Sequence, residues 1–316
     1  MELRELGRSG IKVSPVCLGG NVFGWTADDK TSFAVLDDFT TAGGNFIDTA
    51  DVYSTWVDGH SGGESETVLG KWLKRRGLRD KRIIATKVGS DMGNGKKGLK
   101  AAYIARAVED SLKRLQTDYI DLYQSHRDDL ETPQQETLEA YAKLIKAGKV
   151  RAIGASNFTA ARLSEALAIS AKQGLPRYES LQPEYNLYER AGYEAELEPL
   201  CAKEQIGVIG YFGLASGFLT GKYRSEADLT KSARGEDIGP YLNPRGFRIL
   251  KALDAVAAEA KATPAQIAVA WLIARPSVTA PIVSATRIEQ SQQLIKAMGL
   301  KLTPAQIAAL DAASAT

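Results

Sequence analysis

The sequence predicts an α/β protein of the TIM-barrel class, a (β/α)8 barrel with an N-terminal β-hairpin and extra C-terminal helices. Three observations carry this prediction. Eight short β-branched runs occur at 16–18, 45–48, 82–87, 119–124, 150–154, 180–182, 208–211 and 280–283, each followed by helix-like apolar spacing. The runs are fairly evenly spaced with no interruption at mid-chain, which favours a closed sheet over its main rival, an open doubly wound one. No Pro/Ser-rich linker or low-complexity tract divides the 316 residues. Length alone would allow two domains, but a barrel reaches this size as one, so residues 1–316 read as a single domain.

The elements follow in chain order. Residues 2–6 and 11–13 flank Gly7-Arg8-Ser9-Gly10, a hairpin expected to plug one end of the barrel. The stretch 29–42 puts Phe33, Val35, Leu36 and Phe39 near one helical face, and 99–115 does the same with Ile104, Val108, Leu112 and Leu115. Three helix starts share one spelling, Thr132-Pro133, Thr263-Pro264 and Thr303-Pro304, each with Gln two residues after the Pro. Thr at the N-cap accepts a backbone N–H, and Pro at the first helical position has none to leave unpaired. Gly43, Gly148, Gly174 and Gly299 stand where helices end and a left-handed residue is useful. Segment 221–246 is long and charged, as a lid would be. The helices at 247–262 and 264–275 exceed one crossover.

Composition excludes several functions. Forty Lys and Arg face 38 Asp and Glu, a net charge of +2, so no basic field marks nucleic acid as a partner. The apolar run 267–274 is too short to span a bilayer, and the first residues lack the apolar region of a signal peptide. Cys17 and Cys201 form no CxxC pair, which with the missing signal points to the cytoplasm. His60 and His126 are too few for a His₃ site, and no ligand spacing marks a metal. His60 lies in a turn-rich loop and is expected to be solvated. No stripe of residues specifies an oligomeric state. Residues 93–98 match GxGxxG, but the first Gly lies six residues past Lys87, so the turn is not tight and the segment reads as a solvated loop.

Barrel enzymes work at the C-terminal ends of their strands. There the chain carries Asp48 and then Tyr53, Lys87, His126, Ser156-Asn157, Gln182 and Tyr211. Polar groups in apolar strands need partners, so Asp48 and Lys87 on neighbouring strands predict a buried ion pair. A barrel glycosidase using paired carboxylates, Asp48 with Asp128, is an alternative that leaves Tyr53, Lys87 and the amides unexplained.

Seven segments resemble the aldo-keto reductase family in the right order: 45–53 (NFIDTADVY), 63–70 (GESETVLG), 84–87 (IATK), 121–127 (DLYQSHR), 153–158 (IGASNF), 181–186 (LQPEYN) and 214–223 (LASGFLTGKY). The resemblance covers essentially the whole chain. It implies an NADP(H)-dependent reduction of aldehydes or ketones, or the reverse oxidation of alcohols, with NAD(H) also open. Tyr53 matches the general acid, Lys87 the ammonium expected to lower the phenol's pKa, Asp48 its carboxylate partner and His126 the group orienting the carbonyl. Ser156, Asn157 and Gln182 would hold the nicotinamide carboxamide, and Tyr211 would stack under the ring. Leu214, Ser216, Leu219 and Lys222 would wrap the pyrophosphate. Arg287 and Gln290 would meet the adenosine end, Arg287 as partner of a 2′-phosphate. Among loop aromatics Phe23, Trp25, Trp56 and Phe212, Trp25 and Trp56 are the substrate-binding candidates, favouring an apolar or aromatic substrate. Two departures stand out: Tyr211-Phe212-Gly213-Leu214 replaces Tyr-Ser-Pro-Leu, and Leu294, beside Gln293, replaces an amide at the adenine motif. Some relatives of the family are redox-sensing channel subunits with slow turnover, a third reading.

Overall fold

The computed structural model describes residues 2–231 and 235–315. Strands β1 (Arg4–Glu5) and β2 (Lys12–Val13) form the predicted antiparallel hairpin, with Arg4 opposite Val13. Eight parallel strands follow: β3 (Cys17–Gly19), β4 (Phe46–Asp48), β5 (Ile83–Val88), β6 (Ile120–Ser125), β7 (Val150–Ser156), β8 (Tyr178–Gln182), β9 (Gly207–Val208) and β10 (Ile282–Val283). They pair in chain order from β3 to β9, and β10 returns to pair with β3. The ring closes between β9 and β10, where Val208 bridges Val278 and the Ile282 N–H donates to the Gly210 carbonyl at 2.8 Å. The result is the (β/α)8 barrel.

Strand side chains alternate between faces. Inward residues of the lower barrel form one apolar cluster: Cys17, Phe46, Ile83, Ala85, Leu122, Ala152, Ile209, Ala280 and Ile282. Leu6, Ile11 and Val13 of the hairpin pack into the same cluster, so the hairpin plugs this end. Gly7 makes that docking possible. Its φ is +58°, and a Cβ there would lie 2.1 Å from the Glu179 carbonyl oxygen. Outward residues such as Ile47, Ile84, Val88, Tyr123 and Ile153 face the helices in a second, larger core.

The surrounding helices are α1 (Asp29–Thr41), α2 (Glu64–Arg76), α3 (Ala101–Leu115), α4 (Gln134–Lys146), α5 (Ala160–Gln173), α6 (Ala191–Glu194), α7 (Leu197–Glu204), α8 (Pro244–Ala260), α9 (Pro264–Ala274), α10 (Ile288–Gly299) and α11 (Pro304–Ser314). Thr263 and Thr303 cap α9 and α11 in full capping boxes with Gln266 and Gln306. Thr132 departs from the prediction. Its hydroxyl donates to Asp129 instead, and Pro133 occupies the N-cap of α4 with no side-chain cap. Gly299 also departs: it is the last residue of α10, with Leu300 as C-cap, and its φ is not positive. Gly43, Gly148 and Gly174 are left-handed as expected. Helix α8 begins at Pro244, earlier than predicted, because Asn243 accepts the Gly246 N–H as its cap.

The expected lid, 221–246, contains 3₁₀ segments Glu226–Lys231 and Gly235–Tyr241; its residues 232–234 lie outside the described residues. Arg224 ties it to Asp254 of α8 through two hydrogen bonds, and Ile238 is buried in the core. The glycine-rich 93–98 segment is solvent-exposed apart from half-buried Gly98; it forms its own turn, with the Lys96 N–H donating to the Gly93 carbonyl at 3.0 Å, in the loop between β5 and α3.

Candidate active site

The inward register that makes the lower barrel apolar turns polar two residues further up. Phe46 is followed by Asp48, Ala85 by Lys87, Leu122 by Gln124 and Ser180 by Gln182. All four polar residues are buried. Lys87 Nζ lies 2.6 Å from Asp48 Oδ2 and 2.6 Å from Tyr53 Oη, and it also donates to the Thr49 carbonyl at 2.9 Å. Tyr53 Oη lies 3.3 Å from Asp48 Oδ2. The other carboxylate oxygen, Oδ1, accepts from Gln124 at 3.0 Å and Gln182 at 3.1 Å. The predicted ion pair is therefore present, and both carboxylate oxygens have partners, as a buried charge requires.

Tyr53 follows β4 on a turn whose next residue, Ser54, is left-handed at φ 79°. Loss of hydration and the Asp48 carboxylate raise the Tyr53 phenol well above its ordinary pKa, so the phenol is protonated. This corrects the expectation of a pKa lowered by Lys87: the carboxylate that holds the ammonium also faces the phenol. His126 sits at the end of β6, its ring 6.0 Å from that of Tyr53 in an edge-on arrangement. Loss of hydration, Lys87 and Arg127 lower its pKa well below the ordinary value, so the imidazole is neutral. Its Nδ1 is buried without a hydrogen-bond partner.

Beside this cluster, Ser156, Asn157, Gln182 and Tyr211 form one network. Ser156 Oγ donates to the Gln182 carbonyl at 2.9 Å. The Asn157 amide donates to the His126 carbonyl and to Ser156 Oγ, while its oxygen accepts from Tyr211 Oη at 2.9 Å. Asn157 is left-handed, φ 57°, which turns the chain at the end of β7. The Gln182 N–H groups go to Asp48 and Gln124. What these amides still offer are carbonyl lone pairs, which suit the NH₂ of a carboxamide. The half-buried Tyr211 ring next to them is anchored by its hydroxyl. This donor and acceptor set fits a nicotinamide.

The chain after Tyr211 holds an unusual backbone. Phe212, Ala215 and Ser216 are left-handed without being glycine. Gly213 packs against Val283 and Leu272, where the family's Pro would stand. Leu214 and Ser216 are half-buried, and Leu219 is in the core with its N–H donated to Leu214. Leu219 thus contributes the loop's shape rather than a free donor. Lys222 is exposed and its Nζ folds back to within 3.8 Å of where a Cβ on Gly217 would stand. After the neighbouring strand β10, exposed Arg287 precedes α10 and lies 3.8 Å from Glu289. Gln290 accepts from the Thr286 N–H and hydroxyl, so it braces this turn. The Gln293 amide oxygen accepts from the Thr263 hydroxyl, and Leu294 is buried.

The aromatic candidates separate. Trp25 and Trp56 meet edge to face at 5.6 Å, and Trp56 reaches Tyr53 at 6.1 Å. Trp56 and Phe212 are exposed, whereas Phe23 is fully buried and is core rather than wall. Asp128 does not join Asp48. It is held by Arg162 through two hydrogen bonds of 2.7 and 3.0 Å, which removes the carboxylate pair of the glycosidase reading. His60 is half-buried with Nδ1 shielded, not solvated as expected. Gln124 has no role predicted from the sequence; its signal is an amide on the inward face of β6, two residues after Leu122. Among the described residues no cluster of His, Cys, Asp and Glu could hold a metal ion, and no helix is long and apolar enough to cross a membrane.

Comparison with known proteins adds to this geometry. The family model described as "Aldo/keto reductase family" matches residues 15–315. The Bacillus subtilis protein named uncharacterized oxidoreductase YrpG is 37% identical over 96% of this chain and 92% of its own length. The aldo-keto reductase YhdN of the same organism is 34% identical over 96% of this chain and 90% of its own. A probable voltage-gated potassium channel subunit beta of Arabidopsis thaliana is also 34% identical, over 96% of this chain and 94% of its own.

Proposed function

The chain belongs to the aldo/keto reductase family, and from that premise we propose that it is an NADP(H)-dependent oxidoreductase interconverting aldehydes or ketones with alcohols in the cytoplasm. The family supports oxidoreductase activity on carbonyls, and the cluster of Tyr53, Lys87 and Asp48 is the observation that carries the finer reading.

The bound nicotinamide supplies the hydride. Tyr53 supplies the proton: its phenol is protonated at neutral pH and stands at the polar mouth of the barrel. As the proton leaves, negative charge builds on Oη, 2.6 Å from the Lys87 ammonium, which stabilises it. Asp48 holds that ammonium in place, 2.6 Å away, at the polar end of the barrel. Neutral His126 donates a hydrogen bond to the carbonyl oxygen and orients it toward Tyr53. In the reverse direction the same groups take the alcohol proton.

Ser156, Asn157 and Gln182 would receive the carboxamide, and Tyr211 would support the ring. Leu214, Ser216, Leu219 and Lys222 would shape and charge the pyrophosphate path, with Arg287 and Gln290 at the adenosine end. Exposed Arg287, whose ion pair with Glu289 is long at 3.8 Å and open to solvent, favours a 2′-phosphate, hence NADP(H). The edge-to-face Trp25 and Trp56 favour an apolar or aromatic substrate. Neither nucleic acid nor membrane is a partner in this reading.

Titration with NADPH, read by its fluorescence, tests the cofactor. Arg287→Ala should weaken NADPH much more than NADH; equal losses would remove Arg287 from the phosphate site. A panel of aldehydes, ketones and alcohols with both cofactors then tests the reaction. The relative named as a channel subunit supports a second reading, a slow redox-sensing binding subunit. Steady-state reduction of simple aldehydes would discount it.

A further inference from the structure

The reductase reading leaves one buried group of the site without a task. Gln124 lies on β6 directly opposite Lys87 of β5 and Gly154 of β7. Its Nε2 donates to Asp48 Oδ1 at 3.0 Å, and its Oε1 accepts from Gln182 Nε2 at 3.0 Å. Room for it is made by Gly154, where a Cβ would lie 3.1 Å from Gln124 Cγ and 2.2 Å from Ser180 Oγ. Two residues below, the same strand face carries Leu122, so an apolar side chain at 124 would continue the pattern. A fully buried amide replaces it.

We propose that Gln124 is a positioning residue for the proton transfer, acting through Asp48. This rests on the reading of Tyr53 as the acid. The carboxylate divides its work between two oxygens. Oδ2 faces Lys87 Nζ and Tyr53 Oη, while Oδ1 is held by the amides of Gln124 and Gln182. With Oδ1 held from two strands, the carboxylate cannot rotate about its χ2 and Oδ2 stays on the ammonium. The two amides are neutral donors, so they stabilise the buried carboxylate without a second cation competing with Lys87. Gln182 donates to both Asp48 and Gln124, so the two amides brace each other on the carboxylate.

Three variants test this, each followed by kcat across pH, NADPH affinity and thermal melting. Gln124→Met has similar length and no donor. It should lower kcat about tenfold at every pH, the scale of one hydrogen bond to a charged group, while NADPH affinity stays within about threefold. Its melting temperature should fall modestly, because Asp48 Oδ1 and Gln182 Nε2 keep each other as partners but lose the Gln124 amide. Gln124→Glu separates positioning from packing. Protonated, its carboxyl can donate to Asp48 as the amide does; ionised, it repels Asp48. Its kcat should therefore approach wild type at the acid end and fall as pH rises. A kcat for Gln124→Met within twofold of wild type throughout, or a Gln124→Glu variant that merely tracks Gln124→Met, would overturn the proposal. If Gln124→Met loses its cooperative melt, Gln124→Leu is read by the same criteria. Tyr53→Phe is the control: near wild-type kcat there would remove the acid assignment and this proposal with it, whereas its loss beside an unaffected Gln124→Met removes this proposal alone.

Discussion

The two ends of the barrel are built from the same eight strands and obey opposite rules. At the hairpin end the inward layer is apolar apart from Ser180, and Leu6, Ile11 and Val13 seal it. At the other end the next inward layer holds Asp48, Lys87, Gln124 and Gln182, each buried and each hydrogen-bonded to another of the four. Backbone strain follows the same division. Ser54, Asn157, Phe212, Ala215 and Ser216 are left-handed after strands at the polar mouth, whereas the left-handed Gln116, Gln205 and Lys261 are ordinary helix C-caps. Stability is concentrated where the barrel is plugged. The mouth spends buried charge and strained backbone to hold reactive groups.

That contrast can be broken from either side. The largest effect is expected at the mouth. Lys87→Met would leave Asp48 buried without its cation, costing about 3–5 kcal/mol of stability. It should also lower kcat by about 10²-fold or more, since the developing phenolate loses its ammonium. Denaturant titration and steady-state kinetics check both.

Leu6→Ala, at the plug, should cost about 2–5 kcal/mol of unfolding free energy and leave kcat and NADPH affinity close to wild type. A large fall in kcat at unchanged fold would show that the two ends are coupled.

A pH-dependent test at the mouth concerns Asp51, between Asp48 and Tyr53. Both its carboxyl oxygens are buried without a hydrogen-bond partner, beside a cavity of about 220 Å³ that Tyr103 and Arg114 also line. Burial and nearby Glu66 push its pKa up to about 8. A carboxyl raised in the folded state binds more protons there than in the unfolded chain, so its contribution to stability falls as pH rises from about 4 to about 8. Asp51→Asn removes this titration. Melting temperatures of wild type and variant should converge below pH 4, and the variant should melt higher at pH 8. Parallel curves across that range would contradict the assignment.

Much of the fold was legible because buried parallel strands are short β-branched runs and each is followed by an amphipathic helix. All eight runs overlap the observed strands. Capping was legible where it is local, as at Thr263 and Thr303, and failed at Thr132, whose hydroxyl is claimed by Asp129. At the site, Asp48 and Lys87 stood out as charges in apolar strands, and the ion pair followed. The direction of the Tyr53 pKa did not, because it depends on how close the phenol comes to Asp48 as well as to Lys87. Asp128 looked free in the sequence, since its partner Arg162 is on the next helix but one in the chain, α5. Gln124 was silent because an amide carries no charge to flag it, and only the inward register gives it meaning.

In the proposed mechanism Tyr53 delivers the proton from this polar mouth. Single-turnover oxidation of bound NADPH by an aromatic aldehyde, in wild type and Tyr53→Phe, tests it most directly. The variant should bind NADPH with wild-type affinity and lose about 10²–10⁴-fold in the hydride-transfer rate, the range expected for a lost general acid. Hydride transfer at a near wild-type rate in Tyr53→Phe would contradict it.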